Sequence, residues 1–129
     1  MQKSFVRGTW QQKRAFSPCA ITQGAGRTIY IAGHTGQTDD SGKSLAGDFD
    51  AQFHQTFRNI EKTLAEAGAK LSDMVTMTVF LIDARYTTRM TELRSALFGK
   101  DFPASAAITA QGFAQPEMMI EVQGIAVTA

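Results

Sequence analysis

The chain has 129 residues, of which 43% are hydrophobic and 19% charged, and its net charge is +1. This length favours one domain, residues 1–129, with a substantial core. Near-neutral charge without a cluster of Lys or Arg argues against binding to nucleic acid or to an anionic membrane. The single cysteine, Cys19, excludes an internal disulfide and is typical of a reducing compartment. With no signal peptide at the N-terminus and no apolar run near the roughly 20 residues that span a bilayer, the expected location is the cytoplasm.

The first third of the chain predicts short strands. Ser4–Val6 is compatible with one strand. Ala20–Thr22 and Thr28–Ala32 are predicted to be two further strands, joined in a hairpin by the glycine-containing residues 23–27. The β-branched and aromatic content of Thr28–Ala32 is that of a buried strand.

Two glycines, Gly33 and Gly36, follow this strand directly. A glycine pair after a strand cradles phosphate only where a helix opens at once, and here a polar, turn-rich loop follows. We therefore expect the glycines to permit a bulge or a close approach of the backbone. His34, between them, is either a base in a pocket or a polar residue at a strand end.

The clearest helix is predicted from Asp48 to Ala67. Apolar side chains at helical spacing form one stripe, which we expect in the core. The stripe consists of Phe49, Phe53, Phe57, Ile60 and Leu64. Asp48 is a suitable N-cap, Gly68 a suitable C-terminal cap, and His54 lies beside the stripe at the surface.

The next elements are a strand at Val75–Ile82, apolar on both faces, and a second helix that Thr87 or Thr88 caps and that ends at Phe98 before Gly99. Strand 28–32, helix 48–67 and strand 75–82 form a βαβ unit, so we expect the two strands to be parallel with a right-handed crossover. The apolar stripe of the second helix consists of Met90, Leu93 and Leu97.

The last part of the chain predicts two strands, Ala106–Ala110 and Met118–Val127. The second is nearly all apolar, as a central strand buried on both faces would be. Glu121 lies in its middle. Either it is an edge-strand residue that points to solvent, or it is a pocket carboxylate of the kind used to move protons or position water.

Five or six strands and two amphipathic helices define an α+β fold, with a mixed sheet and both helices on one of its faces. Two helices cover only one face of such a sheet, yet two strands are apolar on both faces. The uncovered face therefore predicts contact with another copy of the chain, that is, a homo-oligomer.

Several kinds of site lack support. Two histidines and one cysteine, widely spaced, give no metal-ligand cluster. No nucleophile elbow, P-loop or dinucleotide fingerprint is present. Cys19 with His34 is a conceivable thiolate pair, although a small buried hydrophobic residue is the expected role of Cys19.

Over nearly its whole length the chain resembles the Rid family, the reactive intermediate deaminases, also called the YjgF family. The order and spacing of several short motifs carry the resemblance. They are Ile31-Ala32-Gly33-His34, Asn59-Ile60 in the Phe-rich helix, Gly68-Ala69 with Leu71-Ser72-Asp73, strand Val75–Ile82 ending in Asp83, Phe102-Pro103-Ala104, and Pro116-Glu117 leading into Ile120-Glu121-Val122 and Ile125-Ala126.

The resemblance implies a chorismate-mutase-like fold and a homotrimer whose sheets line a central barrel. Small-molecule substrates are then expected in three clefts between subunits. It also implies hydrolysis of enamines and imines, such as 2-aminoacrylate, to a 2-oxo acid and ammonia, with no cofactor and no metal.

The resemblance also implies which residues line the cleft. Glu121 matches the motif glutamate of the family and is the implied catalytic residue. The implied substrate-binding positions are Ser105, Ala107, Cys19, Ala32, His34 and Thr91. At five of these the chain departs from the family, which has arginine where Ser105 stands, cysteine at Ala107, tyrosine at Cys19, serine at Ala32 and asparagine at Thr91.

The replacement of arginine by Ser105 has the largest consequence, because a hydroxyl cannot hold a carboxylate as a guanidinium fork does. It predicts a substrate other than the standard 2-imino acids. Arg14, Arg85 or Arg89 would be either a displaced anchor or a solvated surface charge. Two functions follow: a hydrolase of an imine, enamine or related conjugated metabolite, and a non-catalytic trimeric module that binds a metabolite or regulates an enzyme. Ribonuclease activity is disfavoured by the net charge and the absence of a basic stripe.

Overall fold

A computed structural model of the chain describes residues 1–7 and 15–129. In chain order its strands and helices are β1 (Gln2–Val6), β2 (Cys19–Gln23), β3 (Arg27–His34), α1 (Phe49–Glu66), β4 (Met74–Leu81), α2 (Thr87–Phe98), β5 (Ala104–Thr109) and β6 (Ile120–Thr128). Short 3₁₀ turns at Leu71–Asp73 and Ala84–Tyr86 precede β4 and α2. In this part of the chain, neither helix is long and apolar enough to cross a membrane.

The main sheet has four strands in the order β3-β6-β4-β5. Strand β6 runs antiparallel to both of its neighbours, and β5 runs parallel to β4. β1 and β2 form a separate antiparallel pair, which a bridge between Ser17 and Ala104 ties to the outer edge of β5. Both helices pack on the sheet, so the predicted α+β architecture is confirmed.

The predicted hairpin between the second and third strands is wrong. β2 pairs with β1, from Gln2 opposite Gln23 to Val6 opposite Cys19. β3 instead pairs with β6, which is almost 100 residues further along the chain, for example Ile29 with Ala126. A glycine-containing link permits either arrangement. Pairing with β6 brings the side chains of Ile29 and Ile31 onto the core, and this burial decides between the two.

The predicted βαβ unit exists with a strand inserted. β3 and β4 are each antiparallel to β6, so they run parallel to each other, as expected, with β6 between them. The central position predicted for the strand that carries Glu121 is confirmed. Its predicted burial on both faces holds for one face only in this chain: Ile120, Val122 and Ala126 are buried, whereas Gln123 is exposed.

Helix α1 follows its sequence prediction closely. All five stripe residues are buried, and the Asp48 carboxylate caps the helix by accepting from the Ala51 N–H at 3.0 Å. Gly68, just after the helix, has φ of +76°, a value that glycine adopts without strain. His54 is exposed, as predicted.

Helix α2 begins differently from its prediction. Neither Thr87 nor Thr88 caps it; Tyr86 occupies the N-cap position and makes no side-chain capping bond. The preceding 3₁₀ turn runs directly into the helix, and Asp83 caps that turn by accepting from the Arg85 N–H at 2.9 Å. The predicted end at Gly99 is confirmed by its φ of +72°.

Candidate functional site

The sheet has one face covered by the helices and one face that is open in this chain. Residues opposite each other on neighbouring strands project to the same face. Met77, Val79 and Leu81 are buried in the core beneath the helices, so their partners share that covered face. The open face is lined by Tyr30, Thr76, Thr78, Phe80, Glu121, Gln123 and Ile125.

Glu121 lies on the open face, opposite Phe80 of β4. It is half-buried, and its carboxylate forms no hydrogen bond or ion pair with residues 1–7 or 15–129. Glu121 therefore lies in a central strand and not in an edge strand, although the face to which it projects is open in this chain. A carboxylate here can accept a proton or orient a water molecule without first breaking a bond to the protein.

Gly33 makes room for this carboxylate. A Cβ atom on residue 33 would overlap Oε2 of Glu121 and lie 3.0 Å from its Cδ. The pairing of β3 with β6 shifts register between Ile31 and His34, so the predicted bulge and close approach are both found. At Gly36 a Cβ would meet the backbone N of Thr56 at 2.5 Å, a second close approach. At Gly36 glycine is a steric requirement because the clash would be with backbone atoms, whereas at Gly33 the clash would be with the Glu121 side chain, which can move.

His34 has both ring nitrogens engaged. Nδ1 lies 2.7 Å from the carbonyl oxygen of Ala32 and must be its donor, since a carbonyl only accepts. Nε2 lies 2.7 Å from Oγ1 of Thr63 on α1. While these bonds persist the ring has no free nitrogen for a substrate, which favours the strand-end interpretation over the pocket base.

Gln52 is a supporting residue that the sequence analysis missed. Its side chain is fully buried, and Nε2 donates to the carbonyl oxygens of Leu45 at 3.1 Å and Glu117 at 2.9 Å. Its Oε1 accepts from the backbone N–H of Met119 at 2.9 Å. These bonds fix the segment that leads into Glu121. Only its place among the stripe residues of α1 could have indicated it, and glutamine in a helix is normally at the surface.

Ser105 lies on the covered face, opposite Met77, and therefore projects away from Glu121. Nη1 of Arg94, from α2, donates to its Oγ at 2.7 Å. Arg94 is only 3% exposed, and burial lowers the pKa of its guanidinium to about 10, so it stays protonated at neutral pH. The sequence analysis missed Arg94, because Arg in a surface helix is ordinary.

Ala107 and Thr91 flank this pair. Ala107 is opposite Val79, on the same side of β5 as Ser105, and is exposed. Thr91 is half-buried one turn before Arg94, and its hydroxyl donates to the carbonyl oxygen of Thr87 at 3.0 Å. Within one chain the predicted site residues thus form two groups on opposite faces of the sheet, one around Glu121 and one around Ser105.

Cys19 does not have its expected role. It is exposed at the start of β2, so the interpretation as a small buried hydrophobic residue is wrong for this chain. The reason is that β2 belongs to the outer two-stranded pair and not to the main sheet. No hydrogen bond joins Cys19 to His34 in the part of the chain that the structure describes. Ala32, next to Gly33, is also exposed.

Two of the arginines considered as displaced anchors, Arg85 and Arg89, have other partners. Arg85 pairs with Asp83 at 3.1 Å, and Arg89 bonds the Asp50 carboxylate through Nε at 3.0 Å. Both side chains are substantially exposed, which fits surface charges. Arg14 lies outside the described residues. Among those described, no three His, Cys, Asp or Glu side chains come together as metal ligands.

This combination of a split βαβ sheet, two helices on one face and a motif glutamate beside a glycine defines the class of protein. Residues 10–128 match the family model described as endoribonuclease L-PSP. The chain is 34% identical over 101 residues to a RutC family protein of Pyrococcus abyssi, covering 78% of this chain and 79% of that protein. The chain therefore belongs to this family, which is the Rid or YjgF family.

Two further similarities extend this result. The crystal structure of YyfB from Yersinia pestis, a Rid family protein of unknown function, superposes with a TM-score of 0.82 at 25% identity and covers 98% of each chain. A 2-iminobutanoate/2-iminopropanoate deaminase of Dermatophagoides farinae is 24% identical over 64% of this chain and 65% of its own length. The fold is thus the chorismate-mutase-like fold of the family.

Proposed function

We propose that the protein is a Rid-type hydrolase that acts on an imine, an enamine or a related conjugated small metabolite. The single observation that carries the proposal is the position of Glu121, half-buried and without a protein partner on the open face. The name of one relative, a deaminase of 2-imino acids, supports the reaction class. Glu121 is the proposed catalytic residue, and no cofactor is needed.

The reaction is the addition of water to a C=N bond. Glu121 accepts a proton from the attacking water as oxygen bonds to the imine carbon, and the nitrogen gains a proton. The resulting carbinolamine loses ammonia when its C–N bond breaks, which leaves a carbonyl group. An enamine enters the same sequence after protonation on carbon, which converts it into the imine.

The active cleft is proposed to lie between the subunits of a homotrimer. Glu121 and Ser105 project to opposite faces of one sheet, so a single chain cannot present both side chains on one face. A neighbouring copy docked on the open face would bring the two groups together. Tyr30 is opposite Ile125 and Ile108 is opposite Phe80, so both side chains lie on the open face. Both are apolar and exposed, which fits a contact with another copy.

The residues proposed to line the substrate-binding cleft are Ser105, Ala107, Cys19, Ala32, His34 and Thr91, of which His34 already has both ring nitrogens bonded within the chain. Apart from His34, they are small or neutral, so the cleft is less cationic than the one the family resemblance implies. With arginine absent from β5, the standard 2-imino acids lack their anchor on that strand. The substrate is then one that is bound mainly through groups other than a carboxylate held by an arginine of β5.

The alternative is a non-catalytic trimer that binds a metabolite or regulates an enzyme. It is favoured by the absence of a second acid–base group in hydrogen-bond contact with Glu121 within the described ranges. One relative, from Lactococcus lactis, is named as a regulator, AldR, at 26% identity. Binding to RNA remains disfavoured by the net charge of +1, whatever the description of the family model.

The test is the release of ammonia from imines made in situ. An amino-acid oxidase supplies 2-imino acids from alanine, leucine and phenylalanine, and an amine oxidase supplies an uncharged imine from benzylamine. We expect acceleration of at least one of them, and a loss of about 100-fold or more in Glu121→Gln. Glu117→Gln, a half-buried carboxylate in the preceding segment, is the control. Equal rates for wild type and Glu121→Gln would contradict the proposal, and acceleration of none would favour the binding module.

A further inference from the structure

Arg94 is a buried cation without a counter-ion among the described residues. It is 3% exposed and takes part in no ion pair within residues 1–7 and 15–129. The intervening residues 8–14 include no Asp or Glu in their sequence. A buried charge is normally paired with an opposite charge, because its removal from water is costly. An anion from outside this chain, either a ligand or a group of a neighbouring copy, would offset that cost.

The hydrogen bonds of Arg94 leave one edge of the guanidinium unused. Nη1 donates to Oγ of Ser105 at 2.7 Å. Nε is buried and has no partner among the described residues, and no hydrogen bond of Nη2 occurs there either. Nε and Nη2 form the edge that binds a carboxylate through two parallel hydrogen bonds. Ser105 thus bonds only Nη1, and the edge formed by Nε and Nη2 has no partner among the described residues.

The surroundings of the pair offer an approach for a small ligand. Ser105 is only half-buried, and Ala107, two residues along the same side of β5, is exposed. The small, exposed side chain of Ala107 leaves this stretch of the edge strand uncovered by bulky side chains of its own. No carboxylate of the described chain competes for the position.

We propose that Arg94 and Ser105 form a binding site for the carboxylate of the small-molecule ligand. The positive charge then enters the cleft from helix α2 and not from strand β5, with Ser105 as the hydroxyl that orients it. The inference rests on the proposed function for the cleft, and it adds a substrate class: ligands with an anionic end, seated closer to α2 than an anchor on β5 would place them.

A purely structural role for Arg94 makes a different prediction. A hydroxyl such as that of Ser105 is satisfied by any neutral partner, so hydrogen bonding to it does not require a guanidinium. If Arg94 only fills space, its replacement by methionine changes stability and leaves ligand binding intact. If it binds the ligand, the same replacement removes selectivity for the charged ligand.

The experiment is a titration of the full-length protein with pyruvate and with its uncharged analogue pyruvamide, followed by NMR at millimolar ligand. We expect wild type to prefer pyruvate by about 10-fold or more, and Arg94→Met to lose that preference. Arg58→Met, which removes an exposed arginine on α1, should keep it. Equal binding of the two ligands by wild type, or an unchanged preference in Arg94→Met, would overturn the inference.

A second variant keeps the test decisive if Arg94→Met does not fold. Ser105→Asp places a carboxylate against Nη1 and supplies the missing counter-ion within the chain. We expect it to fold, with a melting temperature at or above that of wild type, and to lose pyruvate binding. Retention of pyruvate binding in Ser105→Asp would contradict the inference.

The two proposals fail separately. If pyruvate binds through Arg94 but ammonia release does not depend on Glu121, the anion-site proposal stands and the hydrolase proposal is wrong. If Glu121-dependent turnover of a 2-imino acid has the same kcat/KM in wild type and Arg94→Met, the hydrolase proposal stands and the anion-site proposal is wrong.

Discussion

The carboxylate of Glu121 fills the space that a side chain on residue 33 would need. Gly33 belongs to β3 and Glu121 to β6, and the register shift between the two strands brings the glycine backbone against the carboxylate. The two residues are 88 positions apart, yet neither can change without affecting the other.

The first prediction concerns this contact. In Gly33→Ala the new methyl group forces the flexible Glu121 side chain to a different position, so turnover should fall about 10-fold or more while the fold is kept. Steady-state kinetics and a melting curve measure the two effects. Gly112→Ala is the matched control, since a Cβ there meets nothing within 4 Å. If the melting curve shows enough unfolding of Gly33→Ala to account for the whole loss of turnover, the prediction is wrong.

The second prediction concerns Gln52. Gln52→Met keeps the volume but leaves the backbone groups of Leu45, Glu117 and Met119 without their partner. We expect the free energy of unfolding to fall by about 2–4 kcal/mol, as measured by urea denaturation. Turnover should fall as well, because Met119 lies two residues before Glu121. Gln115→Met, at an exposed position, should change neither quantity.

The third prediction concerns the stability contribution of Arg94. Its pKa in the folded protein, about 10, is below the ordinary value of 12.5, so folding disfavours the charged form at every pH below 10. The cost is on the order of 3 kcal/mol. Arg94→Met, without ligand, should therefore be as stable as wild type or more stable at pH 7.

Urea denaturation of the two proteins at pH 7 and pH 11 tests this sign. Wild type should gain stability relative to Arg94→Met as pH rises from about 10 towards 12, because its unfolded state still binds the proton there. A variant that is less stable than wild type by more than about 1 kcal/mol at pH 7 would show that the guanidinium is structural.

The fourth prediction concerns the open face. Tyr30 is 78% exposed, opposite Ile125, so in a homotrimer formed through this face its ring would be buried. Tyr30→Lys should convert the trimer to smaller species at micromolar concentration, as measured by light scattering after size exclusion. Ser95→Lys, exposed on α2, should leave the mass unchanged. A trimer that persists in Tyr30→Lys would contradict this geometry.

The fifth prediction concerns the link between the helices. Hydrogen bonds from Arg89 hold the pKa of the Asp50 carboxyl on α1 below its usual value. A lowered pKa in the folded state contributes stability above the ordinary value of 3.8, and this contribution is lost as pH falls through the folded pKa. Melting temperatures of wild type and Arg89→Gln should differ by about 1–3 °C at pH 7 and converge as the pH falls well below 3.8. A constant difference across this range would count against the ion pair.

The features predicted well from the sequence are those set by neighbouring residues. The Phe-rich stripe, the Asp48 cap and Gly68 determine α1 because helical spacing and capping act within a few residues. The apolar run around Glu121 likewise indicated a central strand, since only a strand with neighbours on both sides buries so many side chains.

The features predicted poorly depend on partners distant in the chain. The hairpin between β2 and β3 was a local prediction, and burial of Ile29 against β6 overrode it. Cys19 was expected inside and lies outside because its strand belongs to the outer pair. The bond between Arg94 and Ser105 has no signal in the sequence, because any surface helix can carry an arginine.

The sequence by itself determined the family, the α+β class, the first helix and the central strand with its glutamate. Only the tertiary structure decided that Gly33 makes room for Glu121, that Gln52 holds the segment before it, and that Arg94 reaches Ser105. The physical reason is range. Helical periodicity and capping act over a few residues, whereas the environment of a carboxylate or a guanidinium depends on which distant strands and helices fold against it.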